Sequence, residues 1–212
     1  MSLRLGIIGC VLCVAVSVCA QSERQTRKVH LDRVFDCSAE RTDAVVDMFI
    51  YALQTDINSL FSWAFLGTGD QGDPKGKDAV SIHYTGNEYD PETRSGKLFF
   101  NINVFGRPWF KNRELGSVCS DSIVDGTRYL RLDITYSGAL LQAADGLFHT
   151  TAIDAEHTRV HFEINVILGR FFSAFVTNKM WKDVAVWRIE KMIDNIKEFA
   201  ETGTVTAREN EK

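Results

Sequence analysis

From Val80 to Leu168 the chain alternates apolar and polar residues again and again, and this period of two restricts the fold more than any other feature. Val80, Ile82 and Tyr84 alternate with Ser81, His83 and Thr85; after a polar stretch around Asp90-Pro91 and Ser95-Gly96 come Leu98, Phe100, Ile102 and Val104. Leu130, Leu132, Ile134 and Tyr136 alternate with Arg131, Asp133 and Thr135, and Val160, Phe162, Ile164, Val166 and Leu168 with His161, Glu163 and Asn165. A weaker strand is expected at 118–124, closed by the tight hairpin signal Asp125-Gly126, and a further segment of the series at 148–153, followed by a turn over 154–158. Successive side chains of a strand point to opposite faces, so the pattern predicts an antiparallel sheet with one buried and one wet face.

Helical signals bracket this sheet. Val29, Leu31, Val34 and Phe35 read as a first strand ending near Cys37, after which Ser38 is a suitable helix N-cap with Glu40 in the first turn. Val45, Phe49, Leu53, Ile57, Leu60 and Ala64 recur at helical spacing and read as one long helix or as two, the second reading placing a break near Thr55-Asp56. The Gly- and Asp-rich segment 67–78 reads as a loop. A long amphipathic helix is predicted over 177–202, with Trp181, Ala185, Ile189, Met192, Ile196 and Phe199 on one stripe and Asp183, Glu190, Asp194 and Lys197 opposite. At about 100° per residue, Met180, Val184 and Trp187 form a second apolar strip. Either the chain's own elements cover it, or it is a homodimer or protein-partner surface.

The first twenty residues carry one charge, Arg4, and an apolar run that ends at Val18-Cys19-Ala20 before Gln21-Ser22-Glu23. This pattern predicts a secretory signal peptide over 1–20, cleaved after Ala20. The run is short of the roughly 20 apolar residues that a spanning helix needs. Ile7-Ile8-Gly9-Cys10 resembles a lipobox, but a long apolar run follows it, so a lipid anchor ranks below cleavage. A polar leader (21–27), a single domain (28–203) and a disordered tail (204–212) complete the expected organisation. No membrane span is expected in the mature chain, which is assigned to the bacterial periplasm or the extracellular space. The lack of an N-x-Ser/Thr sequon favours the bacterial setting.

Charge excludes one class of partner. The formal net charge is −4, removal of Arg4 makes it one unit more negative, and Lys and Arg are scattered among Asp and Glu. Nucleic acid has no footprint here. Three of the five cysteines lie in the predicted signal peptide, leaving Cys37 and Cys119, for which a disulfide and two free thiols are both open.

Catalytic signatures are weak. His161 and Glu163 alternate on one strand face and His83 lies on the polar face of another, donors that zinc accepts. They stand opposite the apolar positions, and no spacing fixes three ligands together, so a solvated sheet face is expected and no metal is assigned. His149 and His157 are expected near turns and exposed. No Gly-x-Ser-x-Gly, P-loop or dinucleotide fingerprint is present. No catalytic residue and no cofactor are assigned.

In element order the chain resembles the helix-grip fold of the START and Bet v 1-like superfamily, which includes polyketide cyclase-like (SRPBCC) proteins. The likeness is tightest in TRVHFEINVILGRFFSAFVTNKMWKDVAVWRIEKMIDNIKEF, where a last strand bends at Gly169 into an aromatic-rich helix. Phe171, Phe172 and Phe175 are expected to pack that junction. Segment 105–117, with Arg107 to Arg113 reading RPWFKNR, is longer and more charged than a simple hairpin and departs from the pattern. The resemblance implies an α+β fold, a curved antiparallel sheet wrapped around the C-terminal helix, with a cavity for lipids, sterols, polyketides or other hydrophobic ligands.

Physical reasoning leads the same way. A curved sheet with one apolar face needs a cover, and one helix covers it only in part. Tyr84, Phe100, Tyr136, Phe162, Trp181 and Met192 are expected to face the remaining space and bind the ligand. The expected function is thus an exported soluble protein that binds a lipid-like small molecule. A non-enzymatic interaction protein with a packed core ranks second, and a cyclase- or hydrolase-like enzyme third.

Overall fold

The computed structural model describes residues 26–68, 80–104, 107–136, 141–169, 173 and 176–206. The predicted signal peptide, the loop at 69–78 and the junction residues Phe171, Phe172 and Phe175 lie outside the described residues.

Seven antiparallel strands form one sheet: β1 (Thr26–Phe35), β2 (Val80–Asp90), β3 (Ser95–Val104), β4 (Arg107–Val124), β5 (Thr127–Tyr136), β6 (Leu141–Ala152) and β7 (Thr158–Leu168). Their spatial order is β1-β7-β6-β5-β4-β3-β2, so the first strand closes against the last and β2 forms the far edge. Asp125-Gly126 makes the β4–β5 hairpin with φ of 50° and 75°, the positive pair that a type I′ turn demands. Register irregularities between Tyr84 and Gly86, Phe100 and Ile102, Gly116 and Ser117, and Leu141 and Ala143 interrupt the ladders. Such bulges increase local twist and bend strands, which lets the sheet curl. The charged segment 107–117 is not a loop. It is the first part of the long strand β4, its alternation broken at Asn112, whose φ is 49°.

Two helical elements cover the concave face. Helix α1 (Ala39–Thr55) begins at Ser38, whose hydroxyl accepts from Arg41 N, and ends at Asp56. A 3₁₀ stretch, Ile57–Ser62, follows the expected break. Helix α2 runs from Asn178 to Thr202 in three parts: an α turn (Asn178–Met180), a π segment (Trp181–Val186) and a regular α-helix (Trp187–Thr202). Gly203 takes φ +82° just past its end, the left-handed conformation that a glycine adopts without penalty.

The π segment shifts the face of the helix. Its i→i+5 geometry puts Trp181 and Val186 on the same side, so Val186, with Ile189, Met192 and Phe199, packs on the core. The uniform 100° period assigns that place to Ala185. In the second strip Met180 is exposed, while Val184 and Trp187 are half-buried and Arg188 lies over the Trp187 ring.

The packed part of the core joins Val29, Leu31 and Phe35 of β1, Val160 of β7, Ile57, Leu60, Trp63 and Ala64, and Ile193, Ile196 and Ala200 of α2. Polar groups lock this junction. The buried Asn195 donates from Nδ2 to Ala64 O (3.1 Å) and Leu66 O (2.9 Å). The buried Thr158 donates to Cys37 O (2.9 Å), and Lys197 Nζ to Val34 O (2.6 Å). Beyond the helix, Val205 packs on the core and Thr206 bonds Glu198. Asn195→Leu takes the side-chain donor from the buried Ala64 carbonyl and the half-buried Leu66 carbonyl and is expected to cost about 2 kcal/mol. Urea denaturation checks this, and an unchanged midpoint would remove Asn195 from this role.

Candidate functional site

The concave face is not filled everywhere. Between the sheet, α1 and α2 lies a cavity of about 130 Å³. Its helical wall is Val46, Phe49, Ile50 and Leu53 of α1 with Met192, Ile193 and Ile196 of α2. Its sheet wall includes Leu98, Leu130, Leu132, Phe148, Phe162 and Ile164. The lining passes to the exposed residues Glu88, Arg94 and Lys97 where the space meets solvent.

Strand register explains why room is left. Leu130 faces Phe148 across β5 and β6, and Phe148 faces Phe162 across β6 and β7, a large inward row. One step along, Leu132 faces Gly146, and Gly96 faces Ser117. Gly96, Gly146, Ser117 and Cys119 all border the cavity and contribute little volume. A Cβ built at Gly146 meets nothing closer than 3.8 Å, an ordinary van der Waals contact, so the glycine is not there to avoid a clash.

Helix α1 is held over this space by charge. Arg128 of β5 donates to Asp121 of the neighbouring strand (2.6 Å) and also to Asp47 on α1. Thr150 of β6, buried, donates to Asp43 Oδ1 on α1 (2.8 Å). The Arg128 side chain is only 14% exposed, and the carboxylates raise its pKa further, so it stays charged.

The six residues expected to line a pocket separate into groups. Phe162 and Met192 border the cavity. Tyr84 and Phe100 instead join Phe61 and Phe65 in an aromatic cluster at the β2 side, where the Tyr84 and Phe65 rings stack at 6.3 Å. Trp181 packs on the core rather than in the lining, and its buried Nε1 has no partner among the described residues. The Tyr136 side chain lies outside the described residues. Sequence reading missed the α1 wall altogether. The apolar face of α1 was visible, but not that it would look onto the same space as α2.

Cys37 and Cys119 are both free. Cys37 is buried, with its sulfur 3.3 Å from Thr42 Oγ1. Cys119 stands in the cavity wall, where burial, and then the Asp121 charge, push its thiol pKa up. It is therefore a protonated, weakly nucleophilic thiol at neutral pH.

Histidines occupy the other face. His161 points away from the cavity between the inward Phe162 and Val160, and His149 of β6 stacks on it. His149 is on a strand rather than near a turn, whereas His157 does sit in the β6–β7 turn, bonded to Asp154. His83 is on β2, at the opposite edge from His161 and Glu163, so that trio is not brought together.

No protein-family model and no curated protein sequence matches this chain. Solved structures do. The Zhui aromatase/cyclase from Streptomyces sp. R1128 superposes with TM-score 0.53 at 10% identity, over 84% of this chain and 94% of that one. A conserved protein from Geobacillus kaustophilus gives 0.52 at 14% identity, over 82% and 95%. A START superfamily protein from Mycobacterium smegmatis gives 0.49 at 12%, over 84% and 99%. The fold is the α+β helix grip, a curved antiparallel sheet with a long C-terminal helix. Within this helix grip the seven-stranded sheet and α2 supply the grip, and α1 closes the cavity from the side. Among the described residues no helix is long and apolar enough to cross a membrane.

Because Cys119 is half-buried in the cavity wall, its alkylation at pH 8 is expected to run at least roughly tenfold slower than that of a free cysteine. Timed mass spectrometry with iodoacetamide checks this. Labelling at the free-thiol rate would place the sulfur in solvent.

Proposed function

We propose that this protein is an exported binder of a hydrophobic small molecule, held between the sheet, α1 and α2. The observation that carries the reading is the cavity itself, walled largely by aliphatic and aromatic side chains and bordered by Gly96 and Gly146. Apolar space of this kind excludes water and rewards an apolar guest, since each buried CH₂ contributes about 0.8 kcal/mol. The volume of about 130 Å³ is close to that of an apolar cavity of ~150 Å³ that takes up benzene. A ring or one end of a chain fits inside, and a longer ligand extends past Glu88, Arg94 and Lys97 into solvent.

Binding is favoured over catalysis by the donor set. Besides Glu88, Arg94 and Lys97, the polar side chains of the lining are Gln54, Ser117, Arg131 and Cys119, and the Cys119 thiol is protonated. His30, His149 and His161 are on the far side of the sheet, out of reach of a bound molecule. The export half of the proposal rests on Arg4, the apolar run and Val18-Cys19-Ala20.

The test uses the mature chain from Gln21 and a fluorescent naphthalene sulfonate as probe. The folded wild type is expected to bind it saturably. Gly146→Leu fills the cavity and is expected to weaken binding at least about tenfold, or 1.4 kcal/mol, without lowering the melting temperature. Wild-type protein that takes up no probe, or a folded Gly146→Leu that binds equally well, would contradict the reading.

A further inference from the structure

On the face of the sheet turned away from the cavity, three of the chain's five histidines meet. His30 and Asp32 share one face of β1, two residues apart. The register sets Asp32 opposite His161 of β7, and His161 opposite His149 of β6. One Asp32 oxygen lies 3.0 Å from His161 Nδ1 and the other 2.8 Å from His30 Nε2. The three donor atoms all lie within 4.8 Å of one another.

We propose that His30, Asp32 and His161 form a binding site for a divalent transition-metal ion, zinc(II) being the cation their donors suit. Zinc takes imidazole nitrogen and carboxylate oxygen at 2.0–2.2 Å in a tetrahedral array, which sets donors roughly 3.4 Å apart. The present spacing brackets that value, so modest side-chain shifts on a fixed strand pair complete the shell. Two imidazoles argue against calcium and magnesium, which prefer oxygen.

The surroundings are consistent with a built arrangement. The His161 side chain is 16% exposed and held by its strand, while His30 and Asp32 are more than half exposed, so the ion enters from solvent. His149 stacks on His161 with ring centroids 4.5 Å apart and fixes its plane. Asp32 stands between the two imidazoles, one carboxylate oxygen toward each. Glu163, opposite His30, is engaged by Asn165 and sits beside the trio. The fourth position remains for water. A bound ion would cross-link β1 to β7, the pair that joins the two ends of the domain.

The competing account is a plain hydrogen-bond network with Asp32 between two imidazoles. Calorimetric titration of the metal-stripped mature chain with Zn²⁺ separates them. One equivalent is expected to bind and to raise the melting temperature, since a ligand of the native state alone stabilises it. His161→Gln and His30→Gln are each expected to weaken binding at least tenfold, and His83→Gln to leave it unchanged. Co²⁺ in place of Zn²⁺ is expected to give a spectrum without thiolate charge-transfer bands, which excludes the two cysteines as ligands. No saturable binding, a thiolate band, or full binding by folded His161→Gln and His30→Gln would overturn the site. Probe uptake by the cavity does not enter this result, so the two readings fail independently.

Discussion

The architecture follows from one constraint: the apolar concave face of the sheet must be kept from water. Seven strands at about 4.8 Å spacing span roughly 29 Å between the edge strands, whereas a helix with its side chains is about 10 Å wide. Helix α2 cannot cover that width even where the sheet curls. It seals the β1 and β7 side with Ile193, Ile196 and Ala200, and Asn195 ties it to the 3₁₀ region through Ala64 and Leu66. The rest falls to α1, fixed to the sheet through Asp43 and Asp47.

What neither helix fills becomes the cavity, and small inward residues decide its place. Had Gly146 and Gly96 been branched aliphatics, the row begun by Leu130, Phe148 and Phe162 would extend into a continuous core. The fold thus divides labour between its faces. Size alternation on the inner face leaves apolar space, while the outer face of the same strands gathers imidazoles and carboxylates. A strand period of two makes this possible, because His161 and Phe162 are neighbours in sequence and opposite in environment.

Much of this was legible where the signal is local. The alternation of Leu130 to Tyr136 and Val160 to Leu168, the Asp125-Gly126 turn, the Ser38 cap and the break at Thr55-Asp56 each depend on residues a few positions apart. So does the amphipathic stripe from Ile189 to Phe199. Strand β4 was obscured because the residue at Asn112 interrupts its period. The helix face was misphased at Ala185 and Val186 because a π segment inserts one residue per turn. The pocket wall on α1, and the meeting of His30 and Asp32 with His161, depend on pairings across more than a hundred residues, which no local pattern carries. Gly96 and Gly146 carry no hydrophobic signal, so a reading that follows large apolar residues passed over the positions that make the space. It placed Tyr84, Phe100 and Trp181 there instead.

The central claim is that the cavity holds a hydrophobic molecule. Native mass spectrometry of the protein, purified without detergent or organic solvent, tests this most directly. The account predicts a population heavier than the polypeptide by one small apolar compound, released by organic extraction and absent from Gly146→Leu. Only the bare polypeptide mass, from a protein that also fails to take up added hydrophobic compounds, would contradict it.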